Sequence, residues 1–176
     1  PATTSPFMQN FCITPNGTHN DVEVKIIPLN QSRPGFESRY KIVYFNKGTT
    51  TLSGTVTLSY PQNYVSYLNS TTYPTSNTNG VFTWNYANLI PFEQREIIVG
   101  LNVNTPTHPT YPVNAGQVLN YVATANPISG DGTPADNIFT FNDTVVNSYD
   151  PNDKTCLEGN VISPAMVGEY LHYLIR

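Results

Sequence analysis

Residues 52–60, LSGTVTLSY, alternate strictly: Leu52, Gly54, Val56, Leu58 and Tyr60 fall on one side, Ser53, Thr55, Thr57 and Ser59 on the other. Successive side chains of a β-strand point to opposite faces, so this pattern is a half-buried strand with one side on a core and one in water. The same period recurs along the chain. Val22, Val24 and Ile26 alternate with Glu23 and Lys25. Tyr40, Ile42 and Tyr44, with Lys41, Val43 and Phe45 between them, predict a strand buried on both faces. Phe82, Trp84 and Tyr86 share a face, and Trp84 is assigned to the core; Ile97, Val99, Leu101 and Val103 share another. Residues 118–125 and 138–146 supply two more strands.

Turn signals separate these runs: Arg33-Pro34-Gly35, Asn46-Lys47-Gly48, Ser76-Asn77-Thr78-Asn79-Gly80, residues 105–109 and Ser129-Gly130-Asp131-Gly132. Pro and Gly number 15 and 11, which suits many short connections. The best helical candidate, residues 163–168, is one turn long, with Ser163 as N-cap and Pro164 at the first helical position. Seven or more short strands with turns between them predict an all-β fold, an antiparallel Ig-like β-sandwich. No Cys-Trp-Cys spacing is present, so the domain is not antibody-like in detail. The expected organisation is an N-terminal arm over 1–19, the sandwich over 20–147, a polar linker over 148–160, and the start of a second, truncated Ig-like domain over 161–176.

Composition narrows the class. Eight Lys and Arg against twelve Asp and Glu give a net charge of −4. Nucleic-acid binding needs a basic face that neutralises phosphates, and an anionic membrane surface needs one too. Neither a nucleic acid nor insertion into a membrane is expected. Only 11% of residues are charged, against about 25% for an average soluble domain. Polarity comes instead from 22 Thr and 21 Asn, a surface common on secreted β proteins.

Several segments resemble a known family. Arg33-Pro34-Gly35-Phe36, followed by residues 40–48 (YKIVYFNKG), is similar to the opening of bacterial Ig-like surface repeats. Residues 130–137 (GDGTPADN) before the last strand also fit. Residues 148–154 (SYDPNDK), followed by 168–176 (GEYLHYLIR), resemble the interdomain junction and first strand of repeats in large Bacteroidota proteins exported by the type IX secretion system. The resemblance covers residues 20–176. It implies a secreted or outer-surface location, adjacent Ig-like domains of the same chain as partners, and no catalytic activity.

Catalytic signatures agree with that last implication. His19, His108 and His172 are never within four residues of one another, so no helical pair of metal ligands exists. No Gly-x-Ser-x-Gly elbow and no Gly-rich phosphate loop occur. Glu93 and Glu96, with Arg95 between them, read as solvated edge charges rather than a glycosidase pair.

Four features invite binding chemistry. Asp150, Asn152 and Asp153 offer three oxygen donors within four residues, with Asp136 and Asn137 able to approach; calcium takes six to eight oxygens. The same Asp-Pro-Asn-Asp is also a strong type I turn. Tyr60, Tyr64, Tyr67 and Tyr73, among Asn and Thr, suit surface glycans, as in a carbohydrate-binding module serving a secreted hydrolase; they equally suit a lid over the end of a core. Cys12 and Cys156 lie 144 residues apart, and either form a disulfide in an oxidising compartment or stand as two small hydrophobes. Asp143-Thr144-Val145 matches the Bacteroidota O-glycosylation pattern, with Thr144 as acceptor. Finally, residues 168–176 are apolar on both faces of a strand, so strand-mediated self-association through them is expected.

Overall fold

The computed structural model describes residues 16–147, 154–159, 161, 163–164 and 167–175. Two compact units divide the chain between Val146 and Asn147. In the first unit, nine strands run β1 (Val22–Pro28), β2 (Glu37–Asn46), β3 (Leu52–Ser59), β4 (Val65–Ser70), β5 (Ser76–Thr78), β6 (Val81–Leu89), β7 (Gln94–Val103), β8 (Val118–Asn126) and β9 (Ile138–Thr144). They form an antiparallel β-sandwich of the immunoglobulin type: one sheet has the order β1-β2-β7-β4, the other β5-β6-β3-β8-β9.

The period-two residues are the core. Val22, Val24, Tyr40, Ile42, Val99 and Leu101 line the inner face of one sheet; Val56, Leu58, Phe82, Trp84, Leu119 and Tyr121 line the other, all at most 2% exposed. Each fully buried aliphatic side chain contributes roughly 1.5–3 kcal/mol of transfer free energy. One polar knot crosses this interior. Tyr40 on β2 and Tyr121 on β8 pack with tilted rings, centroids 4.5 Å apart, and join their hydroxyls at 3.1 Å. The buried Asp143 carboxylate on β9 accepts from the hydroxyls of Tyr40 at 2.7 Å and Ser32 at 2.5 Å. These bonds satisfy a carboxylate that would otherwise be costly to bury.

Two local expectations are corrected and one strand is added. β2 is buried on one face only: Lys41, Val43 and Phe45 are half-buried, because its sheet leaves its outer face open and Lys41 pairs there with Glu96 at 2.7 Å. The tyrosine-rich stretch contains β4, whose alternation is broken by an irregularity between Tyr67 and Asn69 where it pairs with β7. The turn signal at 76–80 is partly strand: Ser76–Thr78 pair with β6 through a tight turn whose Asn79 and Gly80 have φ of 53° and 73°. Two consecutive positive φ values define the type I′ hairpin turn, for which Asn-Gly is the favoured pair.

The second unit holds one two-stranded sheet, β10 (Lys154–Cys156) antiparallel to β11 (Tyr173–Ile175). The long strand expected over residues 168–176 is therefore three residues in register, and its partner lies in the stretch expected as linker. Glu158, in the turn after β10, accepts from the His172 amide at 3.0 Å and meets His172 Nδ1 at 2.7 Å, which brings the two strands together. The single turn expected at 163–168 is reduced to a Val167 N–H to Pro164 C=O bond at 3.3 Å among the described residues.

Candidate metal centre

β1 begins where β2 ends, since Val22 pairs with Asn46. β8 ends and β9 begins at this same pole: the Val24 amide donates to Asp136 C=O at 3.0 Å, and Asn20 bridges Asp131. Three chain segments thus meet there. Asp21 lies just before β1, Lys47 just after β2, and Asp131 and Asp136 in the β8–β9 connection.

The fold places one carboxylate oxygen each of Asp21, Asp131 and Asp136 within 4.8 Å of one another, all three residues half-buried. At that separation two like charges repel by roughly 3–4 kcal/mol at an effective dielectric near 20. Part of this is offset locally. Asp131 Oδ2 accepts from the Val22 amide at 2.9 Å and from Asn137 Nδ2 at 3.3 Å, and its Oδ1 accepts from the Thr133 amide at 2.8 Å. Thr133 Oγ1 donates to Asp21 Oδ2 at 3.2 Å. Lys47 Nζ meets Asp136 Oδ2 at 2.7 Å, a contact that raises the Lys47 pKa.

The offset is incomplete. Asp21 Oδ1, Asp136 Oδ1 and Asn137 Oδ1 are buried with no hydrogen-bond partner among the described residues. Asn137 itself is fully buried. Buried polar atoms are almost always satisfied, so three orphaned oxygens around one carboxylate trio are consistent with a further partner at this site, a cation or water. The donor set is oxygen throughout, the chemistry of a hard divalent cation such as calcium.

The backbone here is held rigidly. The fully buried Asn46 side chain donates to Leu89 C=O at 2.9 Å and Thr50 C=O at 2.7 Å, and accepts from the Gly48 amide at 3.0 Å. The Lys47 and Gly48 amides in turn donate to Asp21 C=O at 2.8 and 3.2 Å. A Cβ at Gly48 would land on the backbone of His19 and Asp21, so only glycine allows this approach.

The residues singled out from sequence are placed as follows. Asp150, Asn152 and Asp153 lie outside the described residues, as does Cys12. Asp136 and Asn137 do approach an acidic group, but the group is Asp21 and Asp131. Asp131 and Asp136 flank a short turn in sequence; Asp21 is 110 positions away from Asp131 and joins them only through the β1–β9 contact. Of the tyrosines, Tyr60 stacks on Phe82 with centroids 4.4 Å apart, Tyr67 tilts against Phe82 at 5.1 Å, and Tyr64 meets Tyr111 edge-on at 5.8 Å. All three pack against the core, and Tyr73 alone stands out at 83% exposed. Thr144 is exposed at the end of β9, beside the buried Asp143. Cys156 Sγ lies 3.3 Å from Glu158 Oε2. Glu93 is engaged by Arg95 at 2.6 Å, and the Arg95 guanidinium also holds Ala87 C=O and Asn88 C=O.

No known protein family and no curated protein matches the chain. Solved structures do. The CARDB domain of a Pyrococcus furiosus protein, solved in complex with di-metal ions, shares 15% identity with a TM-score of 0.51, over 76% of this chain and 100% of that one. A solution structure of the same domain gives 17% identity and a TM-score of 0.45, over 73% and 96%. BslA, a bacterial hydrophobin, gives 15% and 0.42, over 76% and 100%. At 15% identity the first of these likenesses shows the sandwich fold alone.

Proposed function

We propose that this chain is a non-enzymatic Ig-like module of a secreted or cell-surface bacterial protein, a spacer or adhesion repeat whose upstream pole is fastened by calcium. The observation that carries the reading is the path of the chain through the sandwich. The chain enters β1 at the pole where β2 ends. It leaves β9 at the opposite pole, where Thr144 pairs with Val118 and the Val146 amide reaches Ser32 C=O at 2.9 Å. A module threaded from pole to pole lengthens a polypeptide by its own long axis, which is what a serial repeat requires. The sequence resemblance to Bacteroidota surface repeats supports the exported location.

The carboxylates of Asp21, Asp131 and Asp136 would hold the cation, and it would supply the positive charge that their orphaned oxygens lack. A metal-bearing relative in fold, the CARDB domain, supports the same chemistry here. Because the trio joins the segment before β1 to the β8–β9 connection, the ion would staple the incoming chain to the far side of the sandwich.

Thermal unfolding of the full chain with calcium or with chelator tests this. A ligand at a hundredfold excess over its Kd stabilises by about 2.7 kcal/mol. For a domain of this size that raises the melting temperature by roughly 5–10 °C. The shift should vanish in Asp21→Asn and shrink in Asp136→Asn. An unchanged melting temperature at millimolar calcium removes the cation, and turnover of chromogenic glycosides by the chain removes the non-enzymatic reading.

A further inference from the structure

We infer that the outer face of the five-stranded sheet is a docking surface for a neutral polysaccharide chain. The two sheets divide the charge of the molecule unequally. The outer face of β1, β2 and β7 carries six charged residues in three ion pairs: Lys25 with Glu23, Arg39 with Glu37, and Lys41 with Glu96. β5, β6, β3, β8 and β9 contain one charged residue in all, Asp143, and it is buried. Low overall charge does not explain this division, because the same chain places charges freely on the other sheet. Nor is it edge protection, which would put Lys on β9.

What the neutral face carries is hydroxyls in ranks, at seven of the ten positions in two neighbouring rows, with Ile138, Val81 and Val122 at the other three. Ser76, Thr83, Thr57, Thr124 and Ile138 are successive cross-strand partners over all five strands. Beside them run Thr78, Val81, Ser59, Val122 and Thr140, again partner to partner. Neighbouring strands stand about 4.8 Å apart, so each rank spans roughly 19 Å. The hydroxyls of Thr57, Thr83 and Thr124 have no hydrogen-bond partner among the described residues. Each offers one donor and two acceptor sites on a backbone already fixed by the ladder.

These properties select the occupant. A partner that displaces water from this face must not strand a charge, since burying an unpaired charge costs far more than burying a hydroxyl. It must answer a field of hydroxyls with its own donors and acceptors. A neutral glycan chain does both; nucleic acids and anionic lipid headgroups bring charges this face cannot pair. The sheet twists by about 20–25° per strand, which suits a single flexible chain lying along a rank better than a flat crystalline surface. The exposed phenol rings of the β3–β4 region are not required, because Tyr60, Tyr64 and Tyr67 already pack on the core.

The test is affinity electrophoresis of the full chain through gels containing glucomannan, xyloglucan or dextran. The chain is expected to be retarded by at least one of the three. In the double variant Thr57→Lys, Thr124→Lys, with its fold checked by circular dichroism, the retardation should weaken at least tenfold. Lys41→Ala on the charged sheet and Tyr73→Ala should leave it unchanged. Absence of retardation in all three gels overturns the inference, as does undiminished retardation of the double variant. A chain that sediments as a dimer, while the double variant sediments as a monomer, also overturns it, because the occupant would then be a second copy.

Discussion

Replacing Asn46 should unfasten the upstream pole at a cost that can be worked from its hydrogen bonds. The side chain is fully buried and serves three backbone groups at once. Asn46→Ala leaves Leu89 C=O without its side-chain donor in a buried setting, worth about 1–3 kcal/mol. Thr50 C=O is less deeply placed and can recruit water, so its loss adds about 0.5–1 kcal/mol. The Gly48 amide keeps a second acceptor in Asp21 C=O at 3.2 Å and adds little. The expected loss is about 3 kcal/mol. Urea denaturation followed by the single, buried Trp84 reads it directly. The slope with denaturant should stay unchanged, because the surface exposed on unfolding is the same. Asn46→Asp should lose more than Asn46→Ala near neutral pH, since it turns two donated bonds into a carboxylate facing two carbonyls. A loss under about 1 kcal/mol for Asn46→Ala, at unchanged slope, would refute the reasoning and place the organisation of this pole elsewhere.

Further outcomes follow from the interior and from the second unit. Burial raises the pKa of Tyr40, Tyr44 and Tyr121, and pushes Tyr86 up to about 12. Their stabilisation as neutral phenols is complete below the unfolded value near 10 and is lost as pH rises through the folded values. Ultraviolet difference absorbance should therefore show Tyr40, Tyr44, Tyr86 and Tyr121 ionising together with cooperative alkaline unfolding. Gly54→Ala would set a Cβ against Asn126 C=O and 3.0 Å from the Tyr86 hydroxyl, so the β3–β8 pairing must shift. A loss of about 1–3 kcal/mol in thermal or urea unfolding is expected. Glu158 is held at about 2, first by its bond to His172. What this pairing contributes to the second unit is present above the ordinary carboxyl value and lost as pH falls through about 2. Carboxyl chemical shifts of Glu158 should report that midpoint, and Glu158→Gln should abolish the dependence.

The sandwich was legible wherever burial on one face wrote a period of two into the chain. β3, β6 and β7 follow this pattern, and so does the position of Trp84, now 2% exposed. Where the ladder is irregular, the pattern failed for a physical reason. The irregularity between Tyr67 and Asn69 shifts β4 by a residue, so its inward side chains lose their spacing and the segment shows no period of two. β5 is three exposed residues long, too short and too wet to show any period, and only the Asn-Gly turn after it carried a hairpin signal. β2 misled in the opposite direction. Val43 and Phe45 are apolar on the open face, and half-burial there is achieved by neighbours that the local sequence does not contain.

The carboxylate trio marks the limit of a local reading more sharply. Ligand spacing is a sequence signal only when one helix or one loop supplies the donors, as in a twelve-residue calcium loop. Here the Asp131–Asp136 turn supplies two, and the third arrives from before β1 because β1 closes the sandwich beside the β8–β9 connection. A sequence search for clustered oxygen donors therefore favours Asp150, Asn152 and Asp153, adjacent in the chain, over three aspartates adjacent only in space. The fold converts this separation into its mechanical consequence. An ion held by donors from a single loop stiffens that loop, whereas one held by Asp21 and the β8–β9 connection closes a loop of about 110 residues, for which the entropy withdrawn from the unfolded chain is larger. Removing Asp21, which comes from the incoming segment, should then cost more calcium-dependent stability than removing either aspartate of the turn. Melting curves of Asp21→Asn and Asp131→Asn with calcium decide this ordering, and a calcium shift that survives in Asp21→Asn but is lost in Asp131→Asn would mean that the ion acts on the β8–β9 turn alone.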